Sequence, residues 1–112
     1  MHHCMKLDRK PFDMIRSGEK TYELRLFDEK RQKLSAADTI EFTVNDGTGE
    51  KIVKTIKALH RFSDFAGLYS VLPLDKCGYA PGEIVNASPK DMEIYYPKEM
   101  QERFGVLAIE LV

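Results

Sequence analysis

Tryptophan is absent from this 112-residue chain, and cysteine occurs only twice. Two cysteines do not form the dense disulfide framework of small secreted domains, so Cys4 and Cys77 are predicted to be free thiols. Uncharged apolar stretches fall far short of the roughly 20 residues that a membrane-spanning helix needs. No secretory signal pattern is present. These absences predict a cytoplasmic protein without a membrane partner.

Several motifs that carry chemistry are missing as well. The chain has no glycine-rich phosphate loop and no recognisable Ser-His-Asp or Cys-His pattern. The possible metal ligands are His2, His3, Cys4 and His60. Adjacent residues of a strand point to opposite faces, and two ligands on one face do not make a site. No metal and no other cofactor is therefore expected.

Net charge is also small, at −1. Residues 1–34 hold nine Lys/Arg against six Asp/Glu, whereas the remainder holds eight against twelve. The first third is therefore basic, with a charge of +3, and the rest is acidic, with a charge of −4. Such a bias would support a few local phosphate contacts but not strong non-specific binding to nucleic acid.

Hydrophobic residues make up 43% and charged residues 31% of the chain, a composition typical of a folded globular domain. Periodicity and turn residues predict strands at 2–7, 22–26, 39–44, 51–61 and 106–111, and helical segments at 8–17, 63–72, 89–95 and 97–103. The turn at 45–49 predicts a hairpin, and the long strand after it invites a bulge. A central hairpin fits parallel βαβ winding poorly. The predicted fold class is α+β, a mixed β-barrel of about five strands with helices packed around it.

The predicted strand at 22–26 combines an apolar face with a charged one. Glu23 and Arg25 occupy alternate positions and therefore share a face. Lys20 precedes the strand, and Arg31 belongs to the ionic run that follows it. Together they predict a cleft with a polar floor and a basic rim, suited to a ligand with phosphate groups or polar base edges. Glu23 and Arg25 can equally form a structural ion pair.

Aromatic residues add possible stacking surfaces. Tyr79 lies in a loop flanked by glycine and proline, where it is predicted to stack on a base. Tyr69 shares the apolar side of its predicted helix with Phe65 and Leu72. That position favours packing in the core for Tyr69.

The chain resembles an ASCH domain. The residues that carry the resemblance are Met5-Lys6-Leu7, Pro11-Phe12, Ile15, Ser17-Gly18-Glu19-Lys20-Thr21, Glu23-Leu24-Arg25, Asp28-Glu29-Lys30-Arg31, Asp38-Thr39-Ile40-Glu41-Phe42 and Gly105-Val106. The resemblance covers essentially all of residues 1–112 as one domain, similar to small bacterial members. It implies a PUA-like β-barrel with a cleft beside the second strand. Because the family is proposed to bind RNA, it also implies RNA or a nucleoside or nucleotide ligand as the partner.

Some small bacterial members of the family are amidohydrolases acting on N4-acetylcytidine. In these a lysine at the position of Lys20 is catalytic, and a threonine three residues later is the proposed nucleophile. This chain has Glu23 at that position. The amidohydrolases also use a glutamate from the second half of the chain, for which Asp75 and Glu83 are the candidates here. With Glu23 in place of threonine, the remaining route to hydrolysis is one in which Glu23 acts as a general base and activates water directly, without a covalent intermediate.

Three functions stay open at this point. The leading hypothesis is binding of RNA or a nucleotide-like ligand by Lys20, Glu23, Arg25, Arg31 and Tyr79. The second is hydrolysis of N4-acetylcytidine or a related acylated nucleoside, with Lys20 and Glu23 as catalytic acid–base partners. The third is a protein–protein adaptor in which the cleft ions are structural. The pattern does not predict an oligomeric state.

Overall fold

A computed structural model describes residues 1–112. Its strands and helices are, in chain order, β1 (His2–Leu7), α1 (Arg9–Ser17), β2 (Tyr22–Leu26), β3 (Thr39–Val44), β4 (Lys51–Phe62), α2 (Phe65–Val71), α3 (Lys98–Phe104) and β5 (Val106–Leu111). Short 3₁₀ helices cover Arg31–Lys33, Leu74–Lys76, Pro81–Asn86 and Pro89–Ile94. No helix has the length and apolar character that crossing a membrane requires.

The predicted elements are confirmed with two corrections. The helix predicted from residue 63 begins at Phe65, because Asp64 is its N-cap and accepts a hydrogen bond from the Gly67 N–H at 2.9 Å. The segment after Ser88 is a 3₁₀ helix rather than an α-helix. Both differences lie at helix ends or in short helical turns, where local hydrogen bonding decides the geometry.

All five strands form one mixed sheet in the order β1-β3-β4-β5-β2. The β1–β3 pair is parallel and the other three pairs are antiparallel. Arg25 on β2 reaches β1 at the opposite end of this order, where its Nη2 donates to the Lys6 carbonyl at 3.0 Å. A flat sheet could not make this contact, so the sheet curls into a half-barrel. The predicted α+β architecture with a barrel-like mixed sheet is confirmed.

Strand β4 joins the two halves of the curled sheet. Its first part, through Thr55, pairs with β3 in the predicted hairpin, and its second part pairs with β5. A register irregularity between Ile56 and Ala58 marks the change of partner. A bulge bends a strand and increases its twist. The bulge predicted from the strand's length therefore lies where the sheet changes direction.

Apolar side chains cover both faces of the sheet. The larger core cluster packs α1 against the strands around the fully buried Phe12 and Phe42, and the smaller cluster packs α2 around Phe65. Successive residues of β5 contribute to the two clusters in alternation: Leu107 faces the larger one and Ala108 the smaller one. The continuous apolar run of β5 follows from this burial on both faces.

The end of α1 fixes the position of Lys20. Gly18 ends the helix in a left-handed conformation, with φ 87°, and its N–H donates to the Ile15 carbonyl at 3.2 Å. The Lys20 N–H then donates to the Met14 carbonyl at 3.0 Å. The next residue, Thr21, donates its N–H to the Lys76 carbonyl at 2.9 Å. Lys20 is thereby held between α1, β2 and the loop around residue 76.

Candidate ligand-binding cavity

A cavity of about 450 Å³ lies where the end of β1, the first part of α1 and β2 meet. Its remaining wall comes from Asn45, from Tyr69 on α2 and from residues between positions 77 and 96. The charged side chains of the lining are Lys6, Asp8, Lys10, Lys20, Glu23, Arg25 and Asp91, and the aromatic ones are Tyr69, Tyr79, Tyr95 and Tyr96. Small-molecule sites typically occupy about 300–1,000 Å³ and combine apolar walls with a few polar groups. The cavity matches that description.

A buried ionic triad forms the floor of the cavity. The Lys20 Nζ donates to one oxygen of Glu23 at 2.8 Å, and the Arg25 Nε donates to the other at 2.7 Å. The three side chains are 10%, 5% and 15% exposed, respectively. Two cations share one carboxylate, so the triad carries a net positive charge.

Glu23 is ionised at neutral pH. Burial alone raises the pKa of the Glu23 carboxyl, but the charges and hydrogen bonds of Lys20 and Arg25 outweigh burial and lower that pKa below its ordinary value. An acceptor-only carboxylate matches the two donors that face it. The triad is therefore a fixed ionic arrangement, in which Glu23 is a poor proton acceptor.

The main chain of Gly78 packs beside the Lys20 side chain. A Cβ atom at position 78 would lie 3.5 Å from the Lys20 Cδ and 3.7 Å from its Nζ. The φ angle of Gly78 is 110°, which side-chain-bearing residues rarely adopt.

The neighbouring Cys77 is buried, and burial raises the pKa of its thiol to about 11. Cys77 is thus a neutral thiol and not a nucleophile at neutral pH.

Two tyrosines and an aspartate form a hydrogen-bonded chain on the opposite wall. The Tyr79 hydroxyl donates to the Asp91 carboxylate at 2.7 Å, and the Tyr69 and Tyr79 hydroxyls are 2.7 Å apart. Because the Tyr79 proton is directed at Asp91, Tyr69 is the donor between the two phenols. Burial, together with these hydrogen bonds, raises the pKa of Tyr79. The chain holds the Tyr79 ring in a fixed orientation, edge-on to Tyr69.

Four of the five predicted ligand-binding residues come together in this cavity: Lys20, Glu23, Arg25 and Tyr79. Arg31 is the exception. Its Nη1 donates to Asp28 at 3.2 Å, outside the lining, while its Nε is buried without a hydrogen-bond partner. Tyr69 packs against the smaller core cluster, as its helix position predicts, and also lines the cavity.

Asp75 and Glu83, the two candidates for the acidic residue that the amidohydrolases use, do not line the cavity. Asp75 lies in the 3₁₀ helix Leu74–Lys76, and Glu83 accepts from Lys10 Nζ at 3.4 Å. Asp91 lines it instead. The sequence signal at Asp91 is that of a capping residue, because Asp91 also accepts from the Ser88 N–H at 3.1 Å. Pattern analysis assigns such a residue to the helix start and misses its second role.

The histidines considered as metal ligands have carboxylate or hydroxyl partners. His3 contacts Asp38 at 2.8 Å, and His60 contacts Glu110 at 2.9 Å. His2 contacts the Thr39 hydroxyl. No group of three or more His, Cys, Asp or Glu side chains is placed to hold a metal ion.

A family model described as the ASCH domain matches residues 5–112. No curated protein matches the chain. Among solved structures, the crystal structure of the hypothetical protein PH0355 is 26% identical, with a TM-score of 0.84 over 99% of this chain and 97% of the other. The NMR structure of PF0455 from Pyrococcus furiosus is 23% identical, with a TM-score of 0.74 over 99% and 96%.

A crystal structure of ASCH from Zymomonas mobilis is also similar. It is 19% identical, with a TM-score of 0.64, and the match covers 97% of this chain and 65% of the other. At this identity the likeness concerns the fold alone. The agreement places the curled sheet and its surrounding helices among known structures of the same architecture.

Proposed function

The chain belongs to the ASCH domain family, and we propose that it binds RNA or a nucleotide-like ligand by enclosing one nucleotide unit in the cavity beside β2. The family is PUA-like and is itself proposed to bind RNA. The observation that carries the proposal is the joint presence of Lys20, Glu23, Arg25 and Tyr79 in one cavity of about 450 Å³. Each of these residues offers a contact that a nucleotide can use.

Charge supports an anionic group at the floor of the cavity. Lys20 and Arg25 both contact Glu23, and one carboxylate leaves one of the two positive charges uncompensated. A phosphate oxygen would supply the missing negative charge, and arginine and lysine are its usual partners. Because these side chains are at most 15% exposed, the attraction is screened less than at an open surface.

Aromatic rings support a planar base. Tyr79 is held by Tyr69 and Asp91, so its ring loses little further freedom when a base stacks on it. Base–aromatic stacking contributes about 1–3 kcal/mol per base and tolerates different sequences. Arg31 has a different place in the proposal. It lies outside the cavity with a side chain that is 16% exposed and a buried Nε, so its proposed contact with the phosphates of an RNA strand beyond the bound unit uses the Nη atoms.

The test is a calorimetric titration with the four nucleoside monophosphates, the matching nucleosides and a short single-stranded RNA. We expect binding of at least one monophosphate, with at least about tenfold weaker affinity in Arg25→Ala and in Lys20→Met, as loss of a charge-assisted hydrogen bond predicts. Arg61→Ala is the matched control, because Arg61 lies over the Phe27 ring outside the cavity.

Two results would overturn the proposal. One is absence of binding to every probe by the folded protein. The other is wild-type affinity in both cavity variants at moderate salt. Since Arg25 also contacts Lys6, circular dichroism must show that Arg25→Ala is folded. If Arg25→Ala is not folded, the affinity of Lys20→Met tests the proposal in its place.

Hydrolysis of N4-acetylcytidine is the second candidate, favoured by the buried contact between Lys20 and Glu23 inside the cavity. The lowered pKa of Glu23 weighs against it, because a general base is most effective when its pKa lies near the working pH. The test is turnover of N4-acetylcytidine by the purified protein, followed by chromatography, with Lys20→Ala as the control. Cytidine release that disappears in the variant would establish the enzyme. No release by the folded protein would leave binding as the function.

A further inference from the structure

The half-barrel has an open seam between its two end strands. β1 and β2 are the outer members of the strand order, and no strand pairs with their outer edges. The polar link across the seam is the Arg25 guanidinium, which donates to the Lys6 carbonyl. Main-chain groups along the outer edges therefore face the seam rather than a neighbouring strand.

The outer edge of β2 includes the main chain of Leu24. The Thr21 carbonyl accepts from the Leu111 N–H at 2.8 Å, and the Phe27 N–H donates to the Gly105 carbonyl at 3.0 Å. Paired main-chain groups alternate along an antiparallel strand, so the odd-numbered residues of β2 bond to β5 and Leu24 turns its N–H and C=O away from β5.

Neither of these Leu24 groups has a protein partner among the loops, caps and side chains. The Leu24 side chain is buried in the smaller core cluster, yet Leu24 lines the cavity. Leu24 therefore combines a place in the cavity lining with an N–H and a C=O that the strand alternation turns away from β5, one hydrogen-bond donor beside one acceptor.

We propose that the Leu24 N–H and C=O bind the polar edge of a planar nucleobase, one that carries a donor next to an acceptor. This inference rests on the proposed function and names the group that recognises the base. A ring N–H beside a carbonyl, or a ring nitrogen beside an amino group, pairs with both Leu24 groups at once. Tyr79 supplies the stacking surface, and Lys20 and Arg25 take the phosphate.

A peptide strand fits the same edge less well. A strand that paired with β2 would need Leu24 together with Tyr22 or Leu26, the alternate residues on either side. Neither neighbour lies in the cavity lining, and the Arg25 side chain crosses the seam between Leu24 and Leu26 to reach Lys6. A single unit with one polar edge satisfies Leu24 without displacing Arg25.

A backbone substitution tests the inference and keeps every side chain. Leucine at position 24 is replaced by its α-hydroxy acid, which turns the amide into an ester and removes only the N–H. We expect this protein to bind the monophosphate selected by the titration above at least about tenfold more weakly than wild type. The same replacement at position 26 is the matched control, and affinity there should stay within about twofold.

The outcomes separate the two proposals. If a monophosphate binds and the ester at position 24 has no effect, the role of Leu24 is overturned while the proposed function stands. If both esters weaken binding equally, the ligand pairs along β2 as a strand would, which also overturns the inference. If no monophosphate binds the wild-type protein, the proposed function fails and the role of Leu24 fails with it. In the supporting case, the Leu24 amide resonance shifts on titration and the Leu26 resonance does not.

Discussion

At the scale of single residues, Glu23 decides the character of the cavity. It separates two buried cations that would otherwise repel each other, and both of its oxygens accept charge-assisted hydrogen bonds. The same contacts lower its pKa, so the group that the amidohydrolase hypothesis needs as a base is held as a carboxylate. A structural role and a ligand-binding role of the triad are therefore compatible. A role of Glu23 as the general base of an amidohydrolase is disfavoured.

Replacing Glu23 with glutamine tests its structural role. We expect Glu23→Gln to lower the free energy of unfolding by about 3 kcal/mol or more, because it leaves Lys20 and Arg25 buried without a countercharge. Urea denaturation measures the loss. Glu41→Gln is the control: Glu41 is 28% exposed and 3.9 Å from Lys51, so the change should be below about 1 kcal/mol. Equal losses in the two variants would contradict the assignment.

The lowered pKa of Glu23 also predicts how this difference depends on pH. Since the folded state holds the pKa of Glu23 below that of the unfolded chain, the carboxylate stabilises the fold at every pH above about 4.5. That contribution is lost as the pH falls through the folded pKa. The urea midpoints of wild type and Glu23→Gln should therefore approach each other as the pH is lowered below about 4.5. A constant gap down to pH 3 would count against the shift.

At the scale of elements, the loop around residue 78 positions a side chain of the cavity. We expect Gly78→Ala to destabilise the protein, because its φ of 110° strains a side-chain-bearing residue, and to change monophosphate binding by no more than about twofold, because the new methyl group would meet Lys20 at ordinary contact distances of 3.5–3.8 Å. Gly47→Ala is the control. Its φ of 83° brings a similar backbone penalty of about 1–2 kcal/mol, but no atom lies within 4 Å of the added carbon. Denaturation and calorimetry on both variants separate strain from displacement of Lys20.

Binding more than about fivefold weaker in Gly78→Ala, but unchanged in Gly47→Ala, would contradict this expectation and show that the added methyl group displaces Lys20. Equal loss of binding in both variants would show that lower stability alone explains it.

The same scale shows what could be predicted from the sequence. Alternating residues in β2 and β3 and the hairpin turn between β3 and β4 specify those elements locally, so their bounds and the shared face of Glu23 and Arg25 were predictable. Tyr79 was predicted from its loop position, but Asp91 and the arrangement of their wall were not, because 3₁₀ turns and loops carry no periodic pattern and their placement depends on packing against α2. The position of Arg31 outside the cavity has the same cause.

At the scale of the whole molecule, charge sets an expectation for RNA binding. The net charge is −1, so long-range attraction to nucleic acid is weak and ionic contacts are confined to the cavity and its surroundings. If one or two phosphates are neutralised, the logarithm of the association constant for single-stranded RNA should fall with the logarithm of salt concentration with a slope of about −0.7 to −1.4. Titrations at four salt concentrations measure it. A slope steeper than about −3 would indicate a wider basic interface than the cavity provides.

The strand order has a consequence for how the molecule forms during synthesis. β5 is last in the sequence, yet it lies between β4 and β2, and β2 has no other strand as a partner. β2 cannot join the sheet until residues 106–111 have left the ribosome. A nascent chain that lacks them holds Glu23 and Arg25 on an unpaired strand, so the binding cavity is among the last parts of the protein to assemble.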